Sequence, residues 1–379
     1  MGFLKYPGGK EKEIDVILKH APKNFTRYFE PFVGGGAVFQ NITADKYFIN
    51  DLSTHLMYFY WSIKYNQTEF KQLVEKMEQD WRALDTLEDI DKIISFYKQY
   101  LTDANIEALA SSVDSYLNLP IFDTIGIPNN IHTYSDEYGL LEVNPKVVIY
   151  TTVVDKIERL YNLEKKKHLP EEDIEKNIVG AFKAGYYTYI RTLYNHCADE
   201  SQSFQAAVYY FIRETCYSCM FRFSKTGEFN VPYGGISYNS RSFTKKLKPY
   251  FEEEYQKKFN NTEVYNTDYA SFLKSFELCD TDFIFLDPPY DSAFSTYDTN
   301  EFDRNAQIEL ADYLIKECKG KFMLVVKATD FINSLYKEGT VCANNNKLKV
   351  YAYDKNYFVS FMNRNEKDKK VVHLMICNY

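Results

Sequence analysis

A chain of 379 residues, 45% hydrophobic and 26% charged, has room for one large domain or two moderate ones and for a sizeable core. A formal charge of -8 excludes a wholly basic nucleic-acid coating protein, although net charge says little about any single groove. No run of about 20 apolar residues is present to span a bilayer, the start MGFLKYPGGKEKE lacks a signal peptide's apolar segment, and seven scattered cysteines make no disulfide framework, so a cytoplasmic chain with reduced thiols and no membrane association is expected.

From the amino end, Gly8-Gly9 leads into a helical pattern at Ile14, Ile17 and Leu18. Arg27 to Val33 reads as a strand, Gly34-Gly35-Gly36 as a tight turn, Ala37 to Asn41 as a helix, Lys46 to Asn50 as a strand and Leu52 to Ile63 as a helix. This is the βαβ rhythm of a parallel sheet. From about 65 to 180 the pattern changes to amphipathic helices at Phe70 to Leu87, Ile90 to Leu101 and Val153 to Leu163, with a Pro/Gly/Asn loop at Pro120 to Asn130. Strands resume at Glu263 to Asn266 and Phe283 to Leu286, followed by a helix at Arg304 to Lys319 and a strand at Phe322 to Val326. Lys347 to Tyr353 and Val371 to Asn378 are expected to pair antiparallel at the sheet edge. The expected fold is α/β, with a sheet domain split into 1–64 and 262–379 and a mostly helical domain, 65–261, inserted between them.

Three glycines at the exit of the first strand, followed by Asp51 at the end of the second, suit a nucleoside cofactor: the turn admits close approach and the carboxylate can accept from ribose hydroxyls. NAD, FAD and S-adenosylmethionine all fit that pattern. Phe39 stands where the third glycine of G-x-G-x-x-G belongs, which weakens a pyrophosphate reading.

The apolar strand Phe283 to Leu286 delivers Asp287-Pro288-Pro289-Tyr290 to the carboxyl edge, where ligands of such sheets bind. An aromatic amine is a poor nucleophile because its lone pair is delocalised into the ring. Two acceptors aimed at its N–H bonds favour a pyramidal nitrogen, and the Asp287 carboxylate and Pro288 carbonyl are the candidates. The prolines add no N–H to compete, and Tyr290 offers a face for a base to stack on.

Together these residues resemble the Dam-type, α-group adenine-N6 DNA methyltransferases of the D12 class. Lys5-Tyr6-Pro7-Gly8-Gly9-Lys10 is similar to the family's amino-terminal K-[WY]-x-G-G-K segment, and Glu30-Pro31-Phe32-Val33-Gly34-Gly35-Gly36, Ile49-Asn50-Asp51 and Thr267-Asp268-Tyr269 look like its cofactor positions. The resemblance implies a Rossmann-like methyltransferase sheet, S-adenosylmethionine as cofactor and transfer of methyl to N6 of a flipped adenine in double-stranded DNA. Catalysis would fall to Asp287, Pro288 and Tyr290, and the cofactor to Tyr6, Lys10, Phe32, Gly34, Gly36, Asp51, Asp268, Tyr269 and Asp287. It also implies a bacterial, phage-encoded or virus-encoded enzyme, either alone or beside a cognate restriction endonuclease.

Residues 215–240 are similar to the family's target-recognition hairpin, with Lys225-Thr226-Gly227 as the turn between two aromatic-rich strands, and a two-stranded ribbon fits a major groove. Lys5, Arg222, Asn230, Pro232, Tyr233, Lys245 and Lys246 are the expected DNA contacts. Where relatives that methylate GATC carry arginine after the F/Y-G, Gly235 stands here, and Ser218-Cys219 replaces the usual Asn-Gly, so the target sequence does not carry over. Cys216-x-x-Cys219 has no second Cys/His pair at ligand spacing, and no metal is expected. Two rivals remain: an amide or RNA amino-methyltransferase, which usually has Asn in place of Asp287, and a DNA-binding regulator that kept the fold and lost turnover.

Overall fold

The structure, a computed structural model, describes residues 3–6, 8–87, 89–135, 139–289, 302–356 and 370–379. Tyr290 lies outside the described residues. The chain forms two compact units, one of Met1–Lys64 with Glu253–Tyr379, the other of Tyr65–Glu252.

In chain order the first unit begins with α1 (Ile14–His20), β1 (Arg27–Glu30), α2 (Ala37–Asn41), β2 (Lys46–Asn50) and α3 (Thr54–Lys64). The second unit comprises α4 (Thr68–Ala83), α5 (Ile90–Asp103), α6 (Ile106–Leu117), β3 (His132–Ser135), β4 (Gly139–Glu142), α7 (Pro145–Glu164), α8 (Glu171–His196), α9 (Gln202–Thr215) and α10 (Phe243–Leu247). The chain then returns through α11 (Glu253–Asn260), β5 (Thr262–Tyr265), α12 (Tyr269–Lys274), β6 (Asp282–Leu286) and α13 (Arg304–Lys316). It closes with β7 (Lys321–Lys327), α14 (Asp330–Leu335), β8 (Lys349–Asn356) and β9 (Lys370–Cys377).

The first unit is built on one seven-stranded sheet of order β5-β2-β1-β6-β7-β9-β8. The five strands β5, β2, β1, β6 and β7 run parallel, and β9 lies antiparallel between β7 and β8. β1 stops at Glu30, three residues before the expected Val33, because Pro31 has no N–H for the ladder. Phe29 and Phe48 stack across β1 and β2 with centroids 4.7 Å apart. All five residues of β6 are buried, as a central strand with both faces covered requires. Because β5, β2, β1 and β6 are parallel neighbours, their exits share one edge, and that edge receives Asp268, Asp51, Phe32 and Asp287.

The structure groups α11 with the sheet, where the sequence pattern put residues to 261 in the inserted domain. The reason is Phe259, fully buried, which meets Phe3 at 5.4 Å and Phe39 at 5.6 Å between ring centroids. An apolar anchor of that size gains about 1.5–3 kcal/mol from burial.

The second unit packs around Trp81 of α4, whose ring touches Phe211 of α9, Tyr233 and Phe243. Buried Asp80 accepts from Tyr186 Oη at 3.0 Å and from the Gly126 N–H at 3.0 Å, and pairs with Lys76, so the loop after Pro120 is tied to the helices. α7 starts eight residues before the expected Val153 because Asn144 caps it, accepting the Lys146 N–H at 2.9 Å, with Pro145 in the first turn. Among the described residues no helix is long and apolar enough to cross a membrane.

Candidate active site at the carboxyl edge of the sheet

Gly34 and Gly36 both have positive φ, +48° and +68°, in the left-handed region that glycine enters without strain. A Cβ on Gly36 would lie 2.5 Å from Tyr60 Oη and 2.9 Å from the Phe3 ring, and one on Gly34 would lie 3.2 Å from the Tyr6 ring. The turn therefore makes room for the chain's own amino-terminal segment, and Tyr6 is the ring brought against it. Tyr60 Oη donates to the Gly34 carbonyl at 2.9 Å, which fixes the turn from α3.

Asp51 accepts the Gly34 N–H on Oδ2 at 3.0 Å and the Ser53 N–H on Oδ1 at 3.0 Å. Its carboxylate is thus oriented by main chain on both oxygens. Phe32, Tyr269 and Phe302 form a ring cluster with centroid separations of 5.3, 5.7 and 5.4 Å. Burial pushes the Tyr269 phenol up to about 12, and it donates to the Ala306 carbonyl at 3.0 Å. Asp268 caps α12, accepting from Ser271 N–H at 2.9 Å and Ala270 N–H at 3.1 Å. Hydrogen bonds from Ser271 and then from Ala270 hold its carboxyl below the usual range.

Asp287 meets Lys10 at the exit of β6: the buried ammonium forms an ion pair with the half-buried carboxylate and also donates to the Gly8 carbonyl at 3.1 Å. A cation from the amino-terminal segment thus reaches the first residue of the tetrapeptide. Pro288 is buried and Pro289 exposed. Lys5 is half-buried within the same segment as Tyr6 and Lys10.

In the second unit, residues 216–233 fold back as an antiparallel ribbon, with bridges Phe223–Phe229 and Cys216–Tyr233 and a turn closed by Gly227 at φ +84°. Exposed Arg222 donates from Nε to Asn230 Oδ1 at 2.9 Å across the ribbon, and Pro232 is also exposed. Lys245 is exposed on α10. Two of the expected contacts face inward instead. Tyr233 packs on Trp81 and donates to Asn239 Oδ1 at 2.5 Å, and Lys246 pairs with the buried carboxylate of Glu214. Burial also drives the Cys216 thiol up to about 12, so it stays protonated.

The family model for D12 class N6 adenine-specific DNA methyltransferases matches residues 6–124 and 142–358. The chain belongs to this family. Type II methyltransferase M.CviBI of Paramecium bursaria Chlorella virus NC1A is 31% identical over 175 residues, 46% of this chain and 61% of its own length. Type II methyltransferase M.MjaIII of Methanocaldococcus jannaschii is 26% identical over 357 residues, 88% of this chain and 87% of its own. The Retron Ec67 DNA adenine methylase of Escherichia coli is 30% identical over 162 residues, 42% of this chain and 53% of its own. The chain thus spans less than two thirds of the viral and retron relatives and most of the archaeal one.

Two residues of this D12-class chain carry more of the site's architecture than sequence reasoning gave them. Buried Asn50 donates to the carbonyls of Pro31 and Thr267 at 3.0 Å each and accepts the Thr267 N–H at 3.0 Å, so one side chain locks the exits of β1, β2 and β5 together. Glu30, also buried, accepts from Tyr28 Oη at 2.7 Å. Burial, and then the nearby Asp287 charge, push its carboxyl up to about 8, against the lowering effect of the Tyr28 bond. The available signal was polarity at the end of an apolar strand, which a sheet buries only when partners exist.

Proposed function

We propose that the protein transfers a methyl group from S-adenosylmethionine to N6 of a flipped adenine in double-stranded DNA. The observation that carries this reading is the convergence on one sheet edge of Asp287, Asp51, Asp268 and the Phe32–Tyr269 ring pair, in a chain of the D12 class. The donor set suits that cofactor: an oriented carboxylate for ribose hydroxyls, a ring platform for its adenine, and no arrangement of glycines for a pyrophosphate. When bound, S-adenosylmethionine supplies an electrophilic methyl on a sulfonium.

The remaining chemistry belongs to the chain. Asp51 would hold the ribose, the contacting Phe32 and Tyr269 rings would offer one platform to the cofactor's adenine, and Tyr6 and Lys10 would line the pocket from the amino-terminal segment. Asp287 and the Pro288 carbonyl accept the two N–H bonds of the target amine and turn its lone pair outward, and Tyr290 stacks on the extruded base. Lys10 shares the Asp287 carboxylate with that amine or yields it. Arg222 and Asn230 contact bases or phosphates, Pro232 wedges beside the vacated position, and Lys5 and Lys245 reach the backbone. The type II names of the viral and archaeal relatives support a modification role beside a cognate restriction endonuclease, and the DNA adenine methylase name of the retron relative supports a role alone.

The deciding experiment incubates the protein with labelled S-adenosylmethionine and duplex DNA of mixed sequence, then digests to nucleosides. Label in N6-methyladenine, lost with Asp287→Ala, is the expected result. Label in another nucleoside, or an equally active Asp287→Ala, refutes the reading.

A further inference from the structure

The ribbon and the segment that follows it are moored to two helices of the second unit. Asn195 of α8 brackets Phe229, donating to its carbonyl at 3.1 Å and accepting its N–H at 2.9 Å, and Tyr187 of α8 donates to the Val231 carbonyl at 2.6 Å. From α4, Trp81 Nε1 donates to the Asn239 carbonyl at 3.0 Å, and Arg82 donates to the Arg241 carbonyl at 3.0 Å. Lys183 of α8 reaches the same Asn239 carbonyl at 2.9 Å, with its side chain wholly buried, its ammonium 4.7 Å from the Trp81 ring centroid and paired to Asp85 at 2.5 Å.

Burying a lysine costs several kcal/mol unless it is paired and bonded. Here Lys183, paired to Asp85, donates to one loop carbonyl, so a buried charge is committed to the conformation of the chain at Asn239. Glu78 of α4 goes further. It accepts from Ser242 Oγ at 2.7 Å, Phe243 N–H at 2.9 Å, Thr244 N–H at 2.6 Å and Thr244 Oγ1 at 2.7 Å, and thereby caps α10 from outside. The amino end of α10 is then filled by the protein's own carboxylate and is closed to a phosphate. Lys246 is held by Glu214, which leaves Lys245 and Lys248 as the exposed lysines of this stretch.

We infer that Glu78, Trp81, Asp85 and Lys183 are positioning residues for DNA: the helical unit acts as a mould that fixes residues 233–248 so that Lys245 and Lys248 meet backbone phosphates flanking the bases read by the ribbon. This rests on the DNA-methylation reading above.

The test measures KM for DNA, kcat at saturating DNA and the affinity for S-adenosylmethionine in Glu78→Ala, Lys183→Met, Lys245→Ala and the double variant Glu78→Ala/Lys245→Ala of the full chain. Glu78→Ala and Lys183→Met are expected to raise KM for DNA roughly tenfold and to broaden the set of sites methylated on mixed-sequence DNA, with cofactor affinity held within about twofold. Because Glu78 acts through both lysines, the double variant is expected to fall short of the product of the two single effects, with the remaining loss carried by Lys248. Should Glu78→Ala fail to fold, Glu78→Gln, which keeps an acceptor oxygen, is measured in its place and is expected to show a smaller rise. Unchanged KM for DNA in a folded Glu78 variant, or full additivity in the double variant, overturns the inference. A wild-type protein that labels no DNA refutes the functional reading instead, whereas an active wild type with indifferent Glu78 and Lys183 variants refutes only this one.

Discussion

Lys10 sets its ammonium on the Asp287 carboxylate, with the Gly8 carbonyl as its second acceptor at 3.1 Å. The pair joins the amino-terminal segment to the exit of β6, so the group proposed to accept the target amine is also the group that holds this segment down. Asp287→Ala is expected to lower kcat by about 10²- to 10³-fold, the usual cost of deleting one preorganised polar contact to the reacting centre. Lys10→Met removes this ion pair and loosens the segment, so it is expected to raise KM for S-adenosylmethionine more than it lowers kcat. Steady-state kinetics with both substrates varied separate the two. A Lys10→Met protein with unaltered cofactor KM would refute the assigned link.

Gly36→Ala tests whether the glycine turn serves the amino-terminal segment. The new Cβ would stand 2.5 Å from Tyr60 Oη and 2.9 Å from the Phe3 ring, at a φ of +68°. Strain of this kind costs about 1–3 kcal/mol. Loss of stability in urea is expected together with weaker cofactor binding, because Phe3 and Tyr6 move as one segment. Ala at exposed Gly227, φ +84° with nothing within 4 Å of its Cβ, carries the backbone strain alone and is expected to leave cofactor binding intact.

Glu30 gives a pH dependence with a definite sign. Its folded carboxyl titrates at about 8, because it is buried, against 4.5 in the unfolded chain. Between those values the folded state holds a proton that the unfolded state has lost, so this residue's contribution falls as pH rises from 4.5 to 8 and is level outside that window. Glu30→Gln, neutral throughout, is expected to flatten that decline in melting temperature. An unchanged slope in the variant would show that Glu30 does not hold its proton.

Much of this was legible in the sequence because the relevant forces are local. An apolar run such as Phe283 to Leu286, short and β-prone and followed by Asp-Pro-Pro, reads as a buried central strand, and the acids and glycines at strand ends follow from the chain's turn chemistry. What was hidden depends on partners far along the chain. Nothing near Lys246 announces Glu214, nothing near Tyr233 announces Trp81, and both side chains turn inward for those partners. Asn50 was hidden likewise, since a buried polar side chain is explained only by the groups it bonds, and its partners Pro31 and Thr267 lie beyond the ends of other strands.

Ser218 and Cys219 occupy the two positions where the family commonly has Asn-Gly, and both adopt the left-handed region, at φ 53° and 52°. That is the physical reason for Asn-Gly: asparagine tolerates this conformation and glycine adopts it freely, whereas another residue costs roughly 1–2 kcal/mol. The Ser218 N–H, donating to Tyr238 Oη at 3.1 Å, and the Cys219 N–H, donating to the Cys216 carbonyl at 3.2 Å, hold the turn in place. Cys219 is buried and its thiol fills space, so a substitution there mixes strain relief with lost packing. Ser218 is exposed and gives the clean test. Ser218→Gly is expected to stabilise the full chain by about 0.5–1 kcal/mol, the relieved strain less glycine's extra entropy, and Ser218→Val to destabilise it by about 1 kcal/mol. Urea unfolding measures both. Equal midpoints for the two variants would mean that the turn relaxes without strain and that its conformation is not what Asn-Gly protects.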